Sequence, residues 1–368
     1  MKANRKHDDG ALFILPSDAM GGAEKVLRLF ATEHGKIQQN VWVYILSGKE
    51  PGLNPFAAHG SNARVIYSGT RRALQGVPGL IRFIRSRNFD LVVSSHTHVN
   101  GLTSLLRKIG LLKTRRLVAR ESTMIFERAF SIPKKIALRG MYRFYGRHDR
   151  IICQTEQMLA SLNAHTRGRF AKQTVTIGNP ISLSEISKAI KRPACLSIPN
   201  GDPTLVWCGR FHSVKRPALA VEVVRALSAQ NGVRPKLVML GSGPQYTEVE
   251  SLVAGSDLGD VCTLAGYHDN PLAVFATISR GIGLLTSEIE GFPNVVLEML
   301  AAGLDHVVVT PCCEGLGAIP GVTIARSHDV SDIVAAIKSV MNTSGDASAI
   351  AEHLASRDIA QYAKDAIG

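Results

Sequence analysis

Apolar residues in the first half of the chain fall in short unbroken runs. ALFIL (11–15), VWVYIL (41–46), RVIY (64–67), LVVSS (91–95), RRLVA (115–119), RIICQ (150–154) and TVTI (174–177) predict strands. Between them, helical spacing predicts helices at 22–34, 71–87, 99–111, 132–146 and 155–163. Continuous Val/Ile/Leu runs separated by helices indicate a parallel sheet covered on both faces. Residues 1–180 therefore read as one Rossmann-like domain.

The alternation stops at NPISLSEISKAIKRPACLSIPNGDP (179–203), whose Pro, Ser and Lys content predicts a linker over 181–203. It restarts with TLVWCG (204–209), KLVMLG (236–241), VCTLAG (261–266), GIGLLTS (281–287), HVVVT (306–310) and VTIA (322–325). Helices are expected near 216–230, 293–302 and 330–341. A second domain over 204–345 follows, with terminal helices at 346–368 that could cross back to the first domain. The fold class is α/β, two doubly wound domains facing across a cleft, with ligands at the C-terminal ends of the strands.

Composition adds further constraints. No stretch of about 18 apolar residues is available to span a membrane. The opening MKANRKHDDG is charged, and ALFILP is too short for a signal peptide's apolar region, so the cytoplasm is expected. The six cysteines lack C-x-x-C spacing and read as reduced thiols. The net charge of +13 is uneven. Residues 1–180 hold 29 Lys and Arg against 11 Asp and Glu, and the remainder holds 14 against 19. An asymmetry of that size points to an anionic partner for the first half, such as nucleic acid, lipid headgroups or a phosphorylated substrate.

One helix departs from the pattern. SEIEGFPNVVLEMLAAG (287–303) puts Pro293 at a first helical position and Gly303 at the exit. Residues 295–302 are apolar except Glu298, which marks a buried helix. Yet Asn294 and Glu298 are four apart and share a face. A core salt bridge would satisfy one lone glutamate. Two acids, Glu290 and Glu298, bracketing a helix start fit the lining of a cleft better. Other distinctive residues also follow strands. WCGRFHSVKRP (207–217) offers Gly209, Arg210 and Lys215, two cations able to reach one anion. VMLGSGP (238–244) carries Gly241 and Gly243, where backbone turns tightly or approaches a ligand. With a helix N-terminus at Asn294, the set suggests a nucleoside diphosphate. In the first half, His96 and His98 end the strand LVVSS, where a solvated loop is the competing reading. Arg120 and Glu121 end RRLVA, where a structural ion pair competes.

The ordered set GGAEKVL (21–27), GRFHSVK (209–215), LGSGP (240–244) and EGFPNVVLE (290–298) resembles glycosyltransferase family 4. That resemblance spans nearly the whole chain. It implies a GT-B fold and sugar transfer, with retention, from a UDP- or GDP-linked donor. Glu290 and Glu298 match the family's E-x7-E motif. By that resemblance Arg210 and Lys215 would neutralise the diphosphate, Glu298 would hold the ribose, and Glu290 would contact the sugar. Gly291, Phe292, Pro293, Asn294 and Val295 would line the phosphate and sugar. Gly21 and Gly22 would close over the phosphates, with Gly209 and Gly243 beside them, and Tyr267 would meet the base. EGFPN in place of EGFGL is a variant seen among polysaccharide-assembly members. ARES (119–122) stands where many relatives carry an active-site histidine, a departure from the family pattern. The catalytic candidates are Glu290, Arg210, Lys215 and His96, and the acceptor-side candidates are His96, His98, Arg120 and Glu121.

No Asp-x-Asp occurs in the sequence, so neither a metal nor another cofactor is expected. The expected acceptor is a glycan or lipid-linked chain. SIPKKIALRGMYRFYGRH (131–148) mixes Ile136, Leu138, Met141, Phe144 and Tyr145 with Lys134, Lys135, Arg139, Arg143 and Arg147. Such a mixture resembles an interfacial helix at an anionic membrane face. The alternatives are an inverting GT-B transferase, a nucleotide-sugar epimerase and a non-enzymatic nucleic-acid binder. Aromatic content of 6% and the absence of a recognisable motif argue against the last. A dinucleotide oxidoreductase would need a G-x-G-x-x-G after the first strand.

Overall fold

The computed structural model describes residues 10–18, 21–38, 40–48, 62–127, 131–194, 196, 203–229, 234–278 and 280–368, the side chain of Lys134 excepted. The chain divides into two compact units, one of residues 1–180 with 359–368 and one of residues 181–358.

Unit 1 contains β1 (Ala11–Leu15), α1 (Gly22–Ile37), β2 (Val41–Ile45), β3 (Ala63–Tyr67), α2 (Ala73–Ile84), β4 (Asn88–Ser95), α3 (Thr97–Lys108), β5 (Lys113–Arg120), α4 (Ile132–Met141), β6 (Arg150–Cys153), α5 (Glu156–Thr166) and β7 (Thr174–Thr176). Its parallel sheet has the order β3-β2-β1-β4-β5-β6-β7. Phe13, Leu15, Val93 and Val118 pack on one side with Val26 and Phe30 of α1. Leu12, Ile14, Val92 and Leu117 pack on the other with Leu80 of α2 and Val99 and Leu106 of α3. Because both faces are covered, every residue of β1 is buried and the strand reads as unbroken apolar sequence.

Unit 2 contains α6 (Leu183–Ile190), β8 (Thr204–Cys208), α7 (Pro217–Ser228), β9 (Lys236–Leu240), α8 (Tyr246–Ala254), β10 (Cys262–Gly266), α9 (Pro271–Phe275), β11 (Gly281–Leu285), α10 (Asn294–Ala301), β12 (His306–Val309), β13 (Val322–Ile324), α11 (Val330–Val340) and α12 (Ala347–Ser356). Its parallel sheet has the order β10-β9-β8-β11-β12-β13. In each sheet the first strand has the later strands on one side and its immediate successors on the other. The order reverses at β1/β4 in unit 1 and at β8/β11 in unit 2, and such a reversal opens a crevice at the carboxyl ends of the two strands.

Three expectations need correction. The segment 181–203 is more than a linker. Ser182 Oγ accepts a hydrogen bond from the Glu185 N–H at 3.3 Å and starts α6, which buries Ile186 in the core of unit 2. Polar residues on the exposed side of that helix hid its apolar stripe; Cys195 and residues 197–202 lie outside the described residues. The terminal helical stretch expected over 346–368 is interrupted at Arg357 and Asp358. Helix α12 places Ile350 and Leu354 in unit 2, whereas α13 (Ile359–Ile367) places Tyr362 and Ala366 in unit 1. At the break the Ile181 N–H donates to the Arg357 carbonyl at 2.8 Å. The helix expected over 132–146 stops at Met141 and tightens into a 3-10 turn over Tyr142–Phe144.

Candidate active site

The reversal in unit 2 brings together the loops after β8 and β11. Lys215 Nζ is ion-paired with Glu290 Oε1 across them, both side chains partly exposed. Their backbones are held by several bonds. The Thr286 hydroxyl faces the carbonyls of Lys215 and Arg216 at 2.9 and 3.0 Å and accepts from Trp207 Nε1 at 3.0 Å. The Glu288 N–H donates to the Val214 carbonyl at 2.8 Å, and the Glu290 N–H to the Cys312 carbonyl at 2.9 Å. Arg216 at φ 48° turns the loop into α7, where Pro217 takes the first helical position. Arg210 is exposed and makes no ion pair among the described residues.

The two acids occupy different settings. Pro293 is the N-cap of α10, one position earlier than the sequence suggests, and Gly303 leaves the helix at φ 101°. Val296, Leu297, Met299 and Leu300 are buried, whereas Asn294, Val295 and Glu298 are half-exposed along one stripe. Phe292 is buried under the Arg357 guanidinium, 5.4 Å from its ring centroid. The Gly291 carbonyl accepts from Cys313 Sγ at 3.4 Å. Burial first, then the Glu290 charge, pushes the Cys312 thiol up to about 12. Burial, with Cys312 and Glu290 adding, does the same for Cys313, so both stay protonated.

Gly241 and Gly243 have a structural explanation that the sequence left open. A Cβ on Gly241, at φ 138°, would lie 1.9 Å from the Gly209 carbonyl oxygen. One on Gly243 would lie 2.4 Å from that of Phe211. The loops after β8 and β9 therefore touch backbone to backbone, joined by the Phe211 N–H to the Ser242 carbonyl at 3.0 Å. The Gly241 N–H extends this to the Gly266 carbonyl at 2.7 Å. Tyr267, the next residue, is 56% exposed.

In unit 1 the reversal gathers Gly21, Gly22 and His96. Gly21 caps α1, and the Glu24 carboxylate folds back so closely that a Cβ on Gly21 would meet its Oε2 at 2.4 Å. His96 is no loop residue. It caps α3 at φ 73°, and His98 lies in that helix's first turn. His96 Nε2 stands 3.6 Å from Glu24 Oε1. Burial, then the Arg120 charge, lowers the His96 imidazole to about 4, so it is neutral at physiological pH. Burial and His96 lower His98.

Arg120 and Glu121 do not pair. Arg120 is the last residue of β5 and Glu121 follows it, and each is held by different partners. Glu121 accepts from Thr97 Oγ1 and Asn100 Nδ2 at 3.1 Å, Tyr142 OH at 3.2 Å and Tyr145 OH at 2.5 Å. Four donors make it an internal anchor of unit 1 rather than an acceptor contact. Arg120, 2% exposed, donates to Asn179 Oδ1 at 2.6 Å and faces Tyr362. The sequence reading missed Glu24 and Tyr362. G-x-x-E at a helix start could have flagged Glu24; nothing local marks Tyr362, which arrives on the crossing helix α13. Among the described residues no three His, Cys, Asp or Glu side chains gather as a metal site.

Two family models match, "Glycosyltransferase Family 4" over residues 20–185 and "Glycosyl transferases group 1" over residues 191–357. The chain belongs to glycosyltransferase family 4 and has the GT-B fold. Among curated proteins it is similar to the N-acetyl-alpha-D-glucosaminyl L-malate synthase of Bacillus anthracis, 29% identical over 126 residues. That match spans 34% of this chain and 30% of that protein. Among solved structures it is similar to HepE of Anabaena in complex with UDP and glucose (TM-score 0.77, 15% identity, 97% of this chain and 98% of that one). Sucrose-phosphate synthase of Thermosynechococcus elongatus follows (TM-score 0.71, 16% identity, 98% and 94%). The lipopolysaccharide outer core galactosyltransferase WaaB is also similar (TM-score 0.66, 15% identity, 97% of each chain).

Proposed function

We propose that the protein transfers a sugar, with retention, from a UDP- or GDP-linked donor to a glycan or lipid-linked acceptor in cell-surface polysaccharide assembly. The observation that supports this reading is the β8/β11 reversal, where Lys215 and Glu290 pair across the loops after the two strands, Arg210 lying on the first loop and α10 following the second. Arg210 and Lys215 bind the diphosphate and stabilise the charge that develops on it as the sugar departs, with the α10 dipole adding to them. Glu298 holds the ribose and Glu290 the sugar, while Gly291, Phe292, Pro293, Asn294 and Val295 line the phosphates between them. The acceptor attacks from the face the leaving group vacates, and the departing phosphate oxygen takes its proton. Unit 1 receives the acceptor, with His96 as the polar group beside it.

The finer reading places the protein at the inner face of an anionic membrane. No described residue of α4 is buried. Ile132 and Ile136, one turn apart, are 74% and 65% exposed, and Arg139 and Arg143 are exposed further along the chain. No helix among the described residues is long and apolar enough to cross a membrane.

The test is a panel of UDP- and GDP-sugars, scored for thermal stabilisation and for donor hydrolysis. At least one is expected to give both signals, with activity surviving EDTA, and the product's anomeric configuration should match the donor's. An inverted product, or activity lost on chelation and restored by magnesium, would overturn the corresponding part.

A further inference from the structure

We infer that Glu290 makes donor binding conditional on the sugar, so that a bare nucleoside diphosphate is held poorly. The inference rests on the donor assignment above and deepens it. Lys215 is not waiting for an anion, because its ammonium is already paired with the Glu290 carboxylate. The two loops that carry the pair are fixed to each other through Thr286 and through the Glu288 N–H to Val214 bond. The partners can therefore part only by rotating side chains. Arg210, exposed and outside any ion pair among the described residues, is open to the first phosphate.

A diphosphate that takes Lys215 must release Glu290. The side chain of Glu290 is only 15% exposed, and Lys215 is the one cation paired with it among the described residues. The Cys312 and Cys313 thiols beneath it bring no positive charge. A poorly hydrated carboxylate left without a partner opposes the exchange. A donor sugar resolves it. Its hydroxyls lie just beyond the β-phosphate and can donate hydrogen bonds to a carboxylate, giving Glu290 a new partner as Lys215 turns to the phosphate. A nucleoside diphosphate has no such hydroxyls beyond its β-phosphate. Glu290 is thereby a specificity-determining residue, acting against product retention as well as touching the sugar.

Calorimetric titration of UDP, GDP and the donor sugar nucleotide best retained in the panel separates the outcomes. In Glu290→Gln the amide leaves Lys215 free, and the matching bare diphosphate is expected to bind about tenfold more tightly, as for release of a partly buried charged hydrogen bond. The sugar nucleotide should gain nothing, so the preference for it over the bare diphosphate collapses. Glu288→Gln removes a neighbouring exposed charge without touching the pair and should leave that preference unchanged. If Glu290→Gln binds the bare diphosphate no better than the parent protein does, or if Glu288→Gln tightens it equally, the inference is overturned and the donor assignment stands. If neither UDP nor GDP binds the parent protein or the variant, the donor assignment falls and the inference with it.

Discussion

The carbonyl oxygen of Gly209 occupies the place that a side chain on Gly241 would need, 1.9 Å from an added Cβ. Gly241→Ala must both leave φ 138° and push back the loop that carries Arg210. Strain and overpacking together are expected to cost about 3 kcal/mol. Urea denaturation measures the loss, and a variant as stable as the parent protein would contradict this close approach.

Arg210→Ala and Lys215→Ala should both cripple turnover and weaken diphosphate binding, yet differ in stability. Arg210 is exposed and outside any ion pair among the described residues, so its loss should leave the melting temperature unchanged. Loss of Lys215 strands Glu290 and should destabilise by about 1 kcal/mol, discounted for the partial exposure of the pair. Near-normal activity in either variant would contradict the phosphate role.

Glu298→Gln is expected to raise the donor KM most, because in its proposed role it holds the ribose equally in ground and transition states. Glu290→Gln should mainly lower kcat, since the proposed role sets it at the reacting sugar. Steady-state kinetics with equal effects on both parameters in both variants would refute the division.

Acid should destabilise unit 1 through histidines that cannot charge in place. Burial holds His96 and His148 down at about 4, well below the ordinary 6.5. With the folded value depressed, the unfolded chain binds protons first. Their contribution to stability is therefore full above pH 6.5 and is lost as the pH falls from there to about 4. His148→Gln should flatten this acid limb in denaturation curves measured at several pH values. An unchanged slope would show that His148 charges freely in the fold.

Vesicle co-sedimentation tests the membrane face. Each cation near an anionic leaflet contributes about 1 kcal/mol, so Arg139→Glu with Arg143→Glu should cut binding at least about tenfold. Ile132→Ser with Ile136→Ser should weaken what remains at high salt. Indifference to anionic vesicles at low salt would remove the membrane role and leave sugar transfer untouched.

Strands were the most legible elements, because a strand buried on both faces has little room for polar residues, as in β1 and β11. Short helices escaped notice. Helix α8 buries only Val249 and Val253, and α9 is a single turn of five residues. At the candidate site, Lys215 and Glu290 could be named because each follows a strand, but their pairing depends on sheet order. Arg120 and Glu121 misled for the opposite reason. Adjacency in sequence suggested a pair, while Arg120 bonds to Asn179 and Glu121 to Thr97, Asn100, Tyr142 and Tyr145.

Helix α13 also bears on how the molecule is made. Ile359, Tyr362, Ala363 and Ala366 belong to the core of unit 1, so that unit waits for residues synthesised after all of unit 2. Residues 1–180 emerge from the ribosome first yet lack part of their interior until translation has passed residue 366. During that interval Phe30, which will meet the Tyr362 ring edge-on at 5.7 Å, has no partner from that helix. The usual advantage of folding one domain at a time during synthesis is thus withheld from the first domain and given to the second.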